Sequence, residues 1–266
     1  MKARRFMNLR CLNWKGSIFL FVVVVMLFGG LRQSEAALIL EETYDSLPLG
    51  STVPGWVAPQ GGNIPRVQNV SFNSAPYGAE ITNEAEVLRS FTPLTGIVTI
   101  DIWMDPKIGS DTNNDLRIAL NNNNISGAHV VIGKNETNRW RYTNAGKSVF
   151  FDQLDGEGHN IRVEYNTETT LYNMFFDRDR DGDFDALDFS VFNIPYGTPG
   201  SYAGLPVTGI TLNSGRGALD TTSYFDNLKV SVNPVPEPIP EPTTIVLMGF
   251  GLLGLLGFVI RQRRKK

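Results

Sequence analysis

From Val98 to Met104 every second side chain is apolar, with Val98, Ile100, Ile102 and Met104 alternating with Thr99, Asp101 and Trp103. A period of two puts those four on one face of an extended strand; a helix would need apolar positions every three to four residues. Further strands are predicted at 116–120, 129–132, 148–151, 160–165, 171–176 and 224–232. Turn formers divide them: 121–124 is all asparagine, 155–158 reads Asp-Gly-Glu-Gly, and Asn213-Ser214-Gly215 follows an apolar run. No stretch between Ala37 and Val232 has a convincing helical period, so the body is expected to be one antiparallel β-sandwich.

Both ends have a different chemistry. Lys2, Arg4, Arg5, Arg10 and Lys15 precede an apolar stretch from Ile18 to Leu31, and Ser34 and Ala36 are small residues at the positions a signal peptidase reads. Cleavage is expected between Ala36 and Ala37. Cys11, the only cysteine, falls in the part to be removed, so the mature body must be held by its own core rather than by disulfides. At the other end, prolines at 234, 236, 238, 240 and 242 forbid helix and sheet pairing and predict an extended stem. Residues 244–260 then carry no charge, close to the roughly 17 residues that can just cross a hydrocarbon core as a helix. Arg261, Arg263, Arg264, Lys265 and Lys266 follow and hold that end in the cytoplasm. The expected organisation is signal peptide 1–36, β-sandwich domain 37–232, proline-rich stem 233–243, transmembrane helix 244–260 and basic tail 261–266.

Pro240-Glu241-Pro242-Thr243, the glycine-rich span (Gly249, Gly251, Gly254, Gly257) and the basic end together resemble the PEP-CTERM sorting signal of Gram-negative bacteria. The resemblance covers about the last thirty residues. It implies export, anchoring of a precursor in the inner membrane, and recognition by an exosortase, a membrane transpeptidase, after signal peptidase has acted. Delivery to the envelope or extracellular matrix follows, and such proteins accompany exopolysaccharide production.

Of the 24 Lys and Arg residues, 11 lie before Ala37 or after Ile260, against one of the 27 Asp and Glu residues, which leaves the body a net charge near −13. Such a surface repels nucleic acid and anionic lipid and suits cations, neutral glycans or basic partners. Acidity also serves solubility alone.

Three segments of the body narrow the fold. Glu42-Thr43-Tyr44-Asp45 with Gly50 and Pro54-Gly55-Trp56 resembles the opening strand and loop of secreted jelly rolls. Residues 158–163 followed by 171–176 resemble the paired central strands of concanavalin A-like, laminin-G-type domains, and 224–230 (YFDNLKV) is similar to the strand that closes such sandwiches beside the first. The resemblance implies an all-β, antiparallel, concanavalin A-like jelly roll between the two terminal signals. Fold alone does not establish function.

Residues 177–188 read DRDRDGDFDALD. Asp177, Asp179, Asp181, Asp183, Asp185 and Asp188 take the first, third, fifth, seventh, ninth and twelfth places, with Gly182 at the sixth, which is the spacing of an EF-hand loop. The segment is similar to dockerin-type bacterial calcium loops. Asp177, Asp179, Asp181 and Asp188 would give side-chain oxygens, Asp183 its carbonyl and Asp185 a water-bridged contact, with Phe184 and Leu187 facing inward. Arg178 and Arg180 offer the alternative of a charged hairpin tip balanced by its own arginines.

Catalytic constellations are scarce. The histidines are His129 and His159, the body has no cysteine, and neither HExxH nor GxSxG occurs. The ExDxxE pattern of concanavalin-like glycosidases is absent; Glu80, Glu84 and Glu86 come nearest. Trp56, Trp103, Trp140, Tyr142 and Tyr202 are candidates for stacking on sugar rings, or for the core. The expectation is a non-catalytic exported protein that binds glycan or builds the matrix. The alternatives are a polysaccharide-active enzyme of the same fold and a surface protein with no small ligand.

Overall fold

The computed structural model describes residues 36–59, 63–73, 76–82, 86–106, 115–120, 129–134, 139–153, 155–197, 205–214 and 222–233. The signal peptide, the stem, the apolar tail and the PEP segment lie outside them, apart from Ala36, which is exposed, Ala37, which opens the first strand, and Asn233, the first stem residue, which ends the last strand. Among the described residues no helix is long and apolar enough to cross a membrane. The compact unit spans Ala36–Val235.

Its strands are β1 (Ala37–Glu42), β2 (Trp56–Val57), β3 (Arg66–Gln68), β4 (Gly78–Thr82), β5 (Glu86–Leu94), β6 (Ile97–Asp105), β7 (Asp115–Leu120) and β8 (His129–Lys134). Then come β9 (Arg139–Asn144), β10 (Lys147–Gln153), β11 (His159–Asn166), β12 (Leu171–Phe176), β13 (Phe189–Pro195), β14 (Val207–Ser214) and β15 (Thr222–Asn233). Two antiparallel sheets result. The larger runs β13-β12-β11-β6-β15-β4-β3 with β1 also on β15, and the smaller runs β10-β9-β8-β7-β14-β5-β2. Neighbours such as β6 and β15, far apart in sequence, are the crossovers of a jelly roll.

The alternation read at 98–104 is met: Val98, Ile100, Ile102 and Met104 are all buried. They pack with Ile161, Val163 and Met174 of β11 and β12 and with Ile118, Leu120 and Leu212 of the opposite sheet. A Leu or Ile truncated in such a core costs about 2–5 kcal/mol. Two tyrosines tie the layers through polar tips. The hydroxyl of Tyr172 donates to the Thr143 carbonyl, and that of Tyr196 accepts from the Leu120 N–H at 3.1 Å. Burial pushes the Tyr172 phenol up, which keeps it a neutral donor. The two strand pairings implied by resemblance are present, β11 against β12 and β15 against β1.

Several strands lack a period-two signature in the sequence. β13 and β14 are examples: β14 is buried on nearly every residue, so its two faces do not differ in polarity. Within β15 the pairing with β6 slips between Asp226 and Lys229, where Asn227 has φ 51°. On its other edge β15 pairs with β4 as far as Tyr224 and Phe225, then with β1 from Leu228 onward. The bulge and the change of partner break the outer surface of the larger sheet at one place.

Candidate functional site

The acidic loop joins β12 to β13, and its first residue is the most firmly held. Asp177 is fully buried. Its N–H donates to the Asn160 carbonyl at 3.0 Å, and its carbonyl accepts from His159 Nδ1 at 2.8 Å. Oδ2 accepts from Asn160 Nδ2 at 2.8 Å and from the Gly182 N–H at 3.1 Å. Oδ1 is buried and has no hydrogen-bond partner. An ionised oxygen in that condition is costly unless a cation completes it.

The chain returns to this point through Gly182, whose φ of +93° suits a residue without a Cβ. Asp188 accepts the Arg178 N–H at 2.7 Å on Oδ1 and the Asp185 N–H at 2.9 Å on Oδ2. Carboxylate oxygens of Asp177, Asp179 and Asp188 lie within 4.8 Å of one another, and those of Asp183, Asp185 and Asp188 do likewise. Asp181 belongs to neither trio; its Oδ1 accepts the Asp183 N–H at 3.1 Å.

Both arginines turn away from the loop carboxylates. Arg178 Nε reaches Asp152 at 2.6 Å, and Arg180 Nη1 reaches Asp155 at 3.3 Å. Their ion pairs are thus with Asp152 and Asp155 outside the loop rather than with the loop's own aspartates. Partial desolvation and the charge of Asp181 push the Asp179 carboxyl up, and Asp183 is pushed up chiefly by Asp181. Asp155 goes the other way: burial opposes it, but the Glu157 N–H, His159 and Arg180 together hold its carboxyl low. The donor set of hard oxygens, crowded and without a cation of its own, fits calcium or a similar ion.

One expectation about side chains is corrected, and one open choice is decided. Leu187 does not face inward but is 66% exposed, because Asp185 Oδ1 accepts its N–H and turns the chain outward. Phe184 does pack, its ring 6.1 Å from that of Phe175. Trp56, Trp103, Trp140 and Tyr142 are buried, so they are core aromatics rather than a platform open to sugars; Tyr202 lies outside the described residues. Trp56 leans on Phe225 and Trp140 on Phe176. Trp103 closes over Gly158, where a Cβ would meet its ring at 1.9 Å.

His159 stands at the entry to β11, stacked on Phe176, with Nε2 3.3 Å from Asp155 Oδ1. It bolts the loop to the sheet. Glu80 is half-buried on β4 of the larger sheet and Glu86 is buried on β5 of the smaller, while Glu84 is outside the described residues. A second charged cluster has no signature in the sequence: Arg89 Nε meets Glu42 Oε1 at 2.6 Å, and Trp56 Nε1 donates to Glu42 Oε2 at 3.0 Å. Arg89 and Glu42 are 47 residues apart, so spacing held no signal for it.

Residues 238–265 match the model of the PEP-CTERM protein-sorting motif. The chain carries a PEP-CTERM sorting signal. That signal implies an exported protein, processed by exosortase from a membrane-anchored precursor in a Gram-negative bacterium. A sequence search of curated proteins finds no match. Among solved structures the chain is similar to the catalytic domain of a glycoside hydrolase family 131 protein from Coprinopsis cinerea, with TM-score 0.52 and 9% identity over 77% of this chain and 98% of that one. It is also similar to an uncharacterized protein from Mycobacterium paratuberculosis, with TM-score 0.49 and 13% identity over 72% and 99%. A third is domain 4 of a GH43 extracellular arabinanase from Geobacillus stearothermophilus in complex with arabinotriose, with TM-score 0.43 and 11% identity over 76% and 95%. At such identities the first likeness establishes the jelly-roll, lectin-like fold of the body and nothing about its chemistry.

Proposed function

We propose that the mature chain is a non-catalytic glycan-binding protein of the exopolysaccharide matrix, with a structural calcium ion in the 177–188 loop. The observation that carries the reading is the sorting signal at 238–265 on a jelly-roll body, because such signals accompany exopolysaccharide production. In this reading the signal peptide ends at Ala36, residues 244–260 hold the precursor in the inner membrane, and exosortase acts near Pro240-Glu241-Pro242. Asp177, Asp179 and Asp188 hold the ion, and Asp177 Oδ1 gains the partner it lacks. When bound, the ion neutralises crowded carboxylates and ties β12 to β13; it takes no part in a reaction.

The competing reading is a polysaccharide-active enzyme. A glycosidase needs two converging carboxyl groups, one of them a general acid in a setting without nearby cations. Glu80 and Glu86 stand on different sheets, and Glu42 and Asp101 are each 2.6 Å from an arginine, which favours binding without turnover. The test is a glycan array with the full-length protein in detergent, followed by incubation with every glycan retained. Retention without new reducing ends is expected; steady release of reducing ends would replace this reading with the enzyme.

A further inference from the structure

The outer face of the larger sheet holds a groove of about 260 Å³ at the place where β15 bulges and changes partner. Asn73, Asp101, Asn160, Arg162, Phe184 and Lys229 supply its working side chains. Arg162 Nε donates to Asp101 Oδ1 at 2.6 Å, and its guanidinium lies 4.9 Å from the centre of the Phe184 ring. Asn73 Nδ2 donates to Asn160 Oδ1 at 2.9 Å. The groove thus sets planar donors and acceptors side by side with an aromatic wall.

Flat amide, carboxylate and guanidinium groups in that arrangement match adjacent hydroxyls, which donate and accept along one edge of a ring. Both signs of charge are present, so nothing selects an anion, and a body charge near −13 repels polyanions. The volume lies just under the roughly 300–1,000 Å³ of sites for drug-sized ligands, which suits one or two rings of a longer chain.

The groove is also joined to the acidic loop. Asn160 receives from Asn73 inside the groove and gives its Nδ2 to Asp177 Oδ2, the same oxygen that takes the Gly182 N–H. Gly182 and Phe184, both from the loop, form one wall. Whatever orders the loop therefore orders Asn160 and that wall.

We infer that this groove binds one or two rings of a neutral glycan through Arg162, Asp101 and Asn160, and that the loop must be ordered by its cation for the groove to be competent. The assignment rests on the glycan-binding reading above and gives it a place and a ligand class. Arg162 and Asp101 are partly exposed, so replacing Arg162 does not hollow the core.

The experiment uses full-length protein in detergent against neutral gluco-, manno- and galacto-oligosaccharides and against alginate and pectate oligomers, each with calcium chloride and with EGTA. Binding to a neutral oligosaccharide is expected, weakened about tenfold to a hundredfold by Arg162→Met and by Asn160→Ala. Arg162→Lys should lie between, and Lys147→Ala on the smaller sheet should match the parent. EGTA should weaken glycan binding and, read independently, lower the thermal transition. Unchanged binding in both Arg162 variants overturns the groove and leaves the glycan reading standing; preference for alginate or pectate overturns the ligand class. Binding indifferent to EGTA overturns the link to the loop. No binding to any probe overturns the glycan reading with it.

Discussion

Glu42 and Asp177 are both shielded carboxylates at the surface of the larger sheet, and only one of them is complete. Glu42 gives one oxygen to Arg89 and the other to the Trp56 indole N–H, so charge and hydrogen-bonding capacity are both met from within the chain. Asp177 has three atoms engaged by the fold and one oxygen left open, beside Asp179 and Asp188, while the nearest arginines are committed to Asp152 and Asp155. A protein can neutralise a carboxylate with its own cation or leave the place for a solute. The first needs no ion from the medium, and the second makes stability depend on one.

The sharpest way to test that contrast is to damage the complete site. Glu42→Ala leaves the Arg89 guanidinium and the Trp56 N–H without their acceptor in a half-buried setting, and should cost about 2–4 kcal/mol. Urea denaturation should show the same loss with and without calcium. A loss that calcium repairs would mean the two regions are not separate.

Calcium should have the next largest effect. With affinity on the order of 0.1–1 mM, as in extracellular modules, about 10 mM calcium should stabilise the chain by roughly 1.4–2.7 kcal/mol. For a body of this size that is roughly 3–11 °C in the thermal transition. Asp177→Ala should abolish the response, whereas Glu42→Ala should keep it. A flat calorimetric titration of the parent protein would break the comparison, because the loop would then be stable with its carboxylates unpaired.

The smallest effect concerns the carboxylates that draw the arginines away. Asp155→Asn removes an exposed partner of Arg180 and His159, so the cost should stay below about 1 kcal/mol. The Asp155 carboxyl is held below its ordinary value in the folded chain, so its stabilisation is present above the unfolded pKa of about 4 and is lost as pH falls through the lower folded value. Thermal scans should therefore show parent and variant apart near neutrality and together in strong acid. A gap that persists in acid would mean that Asp155 acts through packing and not charge. If the variant instead frees Arg180 for the loop, calcium affinity should fall, which would tie the two clusters together.

Much of the fold was legible because the signals were local. Alternation at 98–104 marked the central strand, and the acidic spacing at 177–188 marked the loop. Strands such as β14 escaped because burial on both faces erases the alternation that would reveal them. The bulge at Asn227 escaped because its position depends on where β1 and β4 meet along β15, a relation between distant segments. The tryptophans kept two readings open in the sequence, since an aromatic side chain has the same composition in a core and on a sugar platform; burial decided for the core.

The order of the residues alone determined the sorting signal, the all-β class and the crowding of six aspartates into one loop, because each rests on neighbours along the chain. Tertiary structure decided where the charges go. Arg178 and Arg180 sit among the aspartates in sequence and yet face Asp152 and Asp155, because β10 and the turn before β11 fold alongside the loop. Asn160, 17 residues from Asp177, becomes the link between loop and groove only once β11 and β12 pair. Electrostatic partners are chosen by distance in space, and a sequence records distance only along the chain.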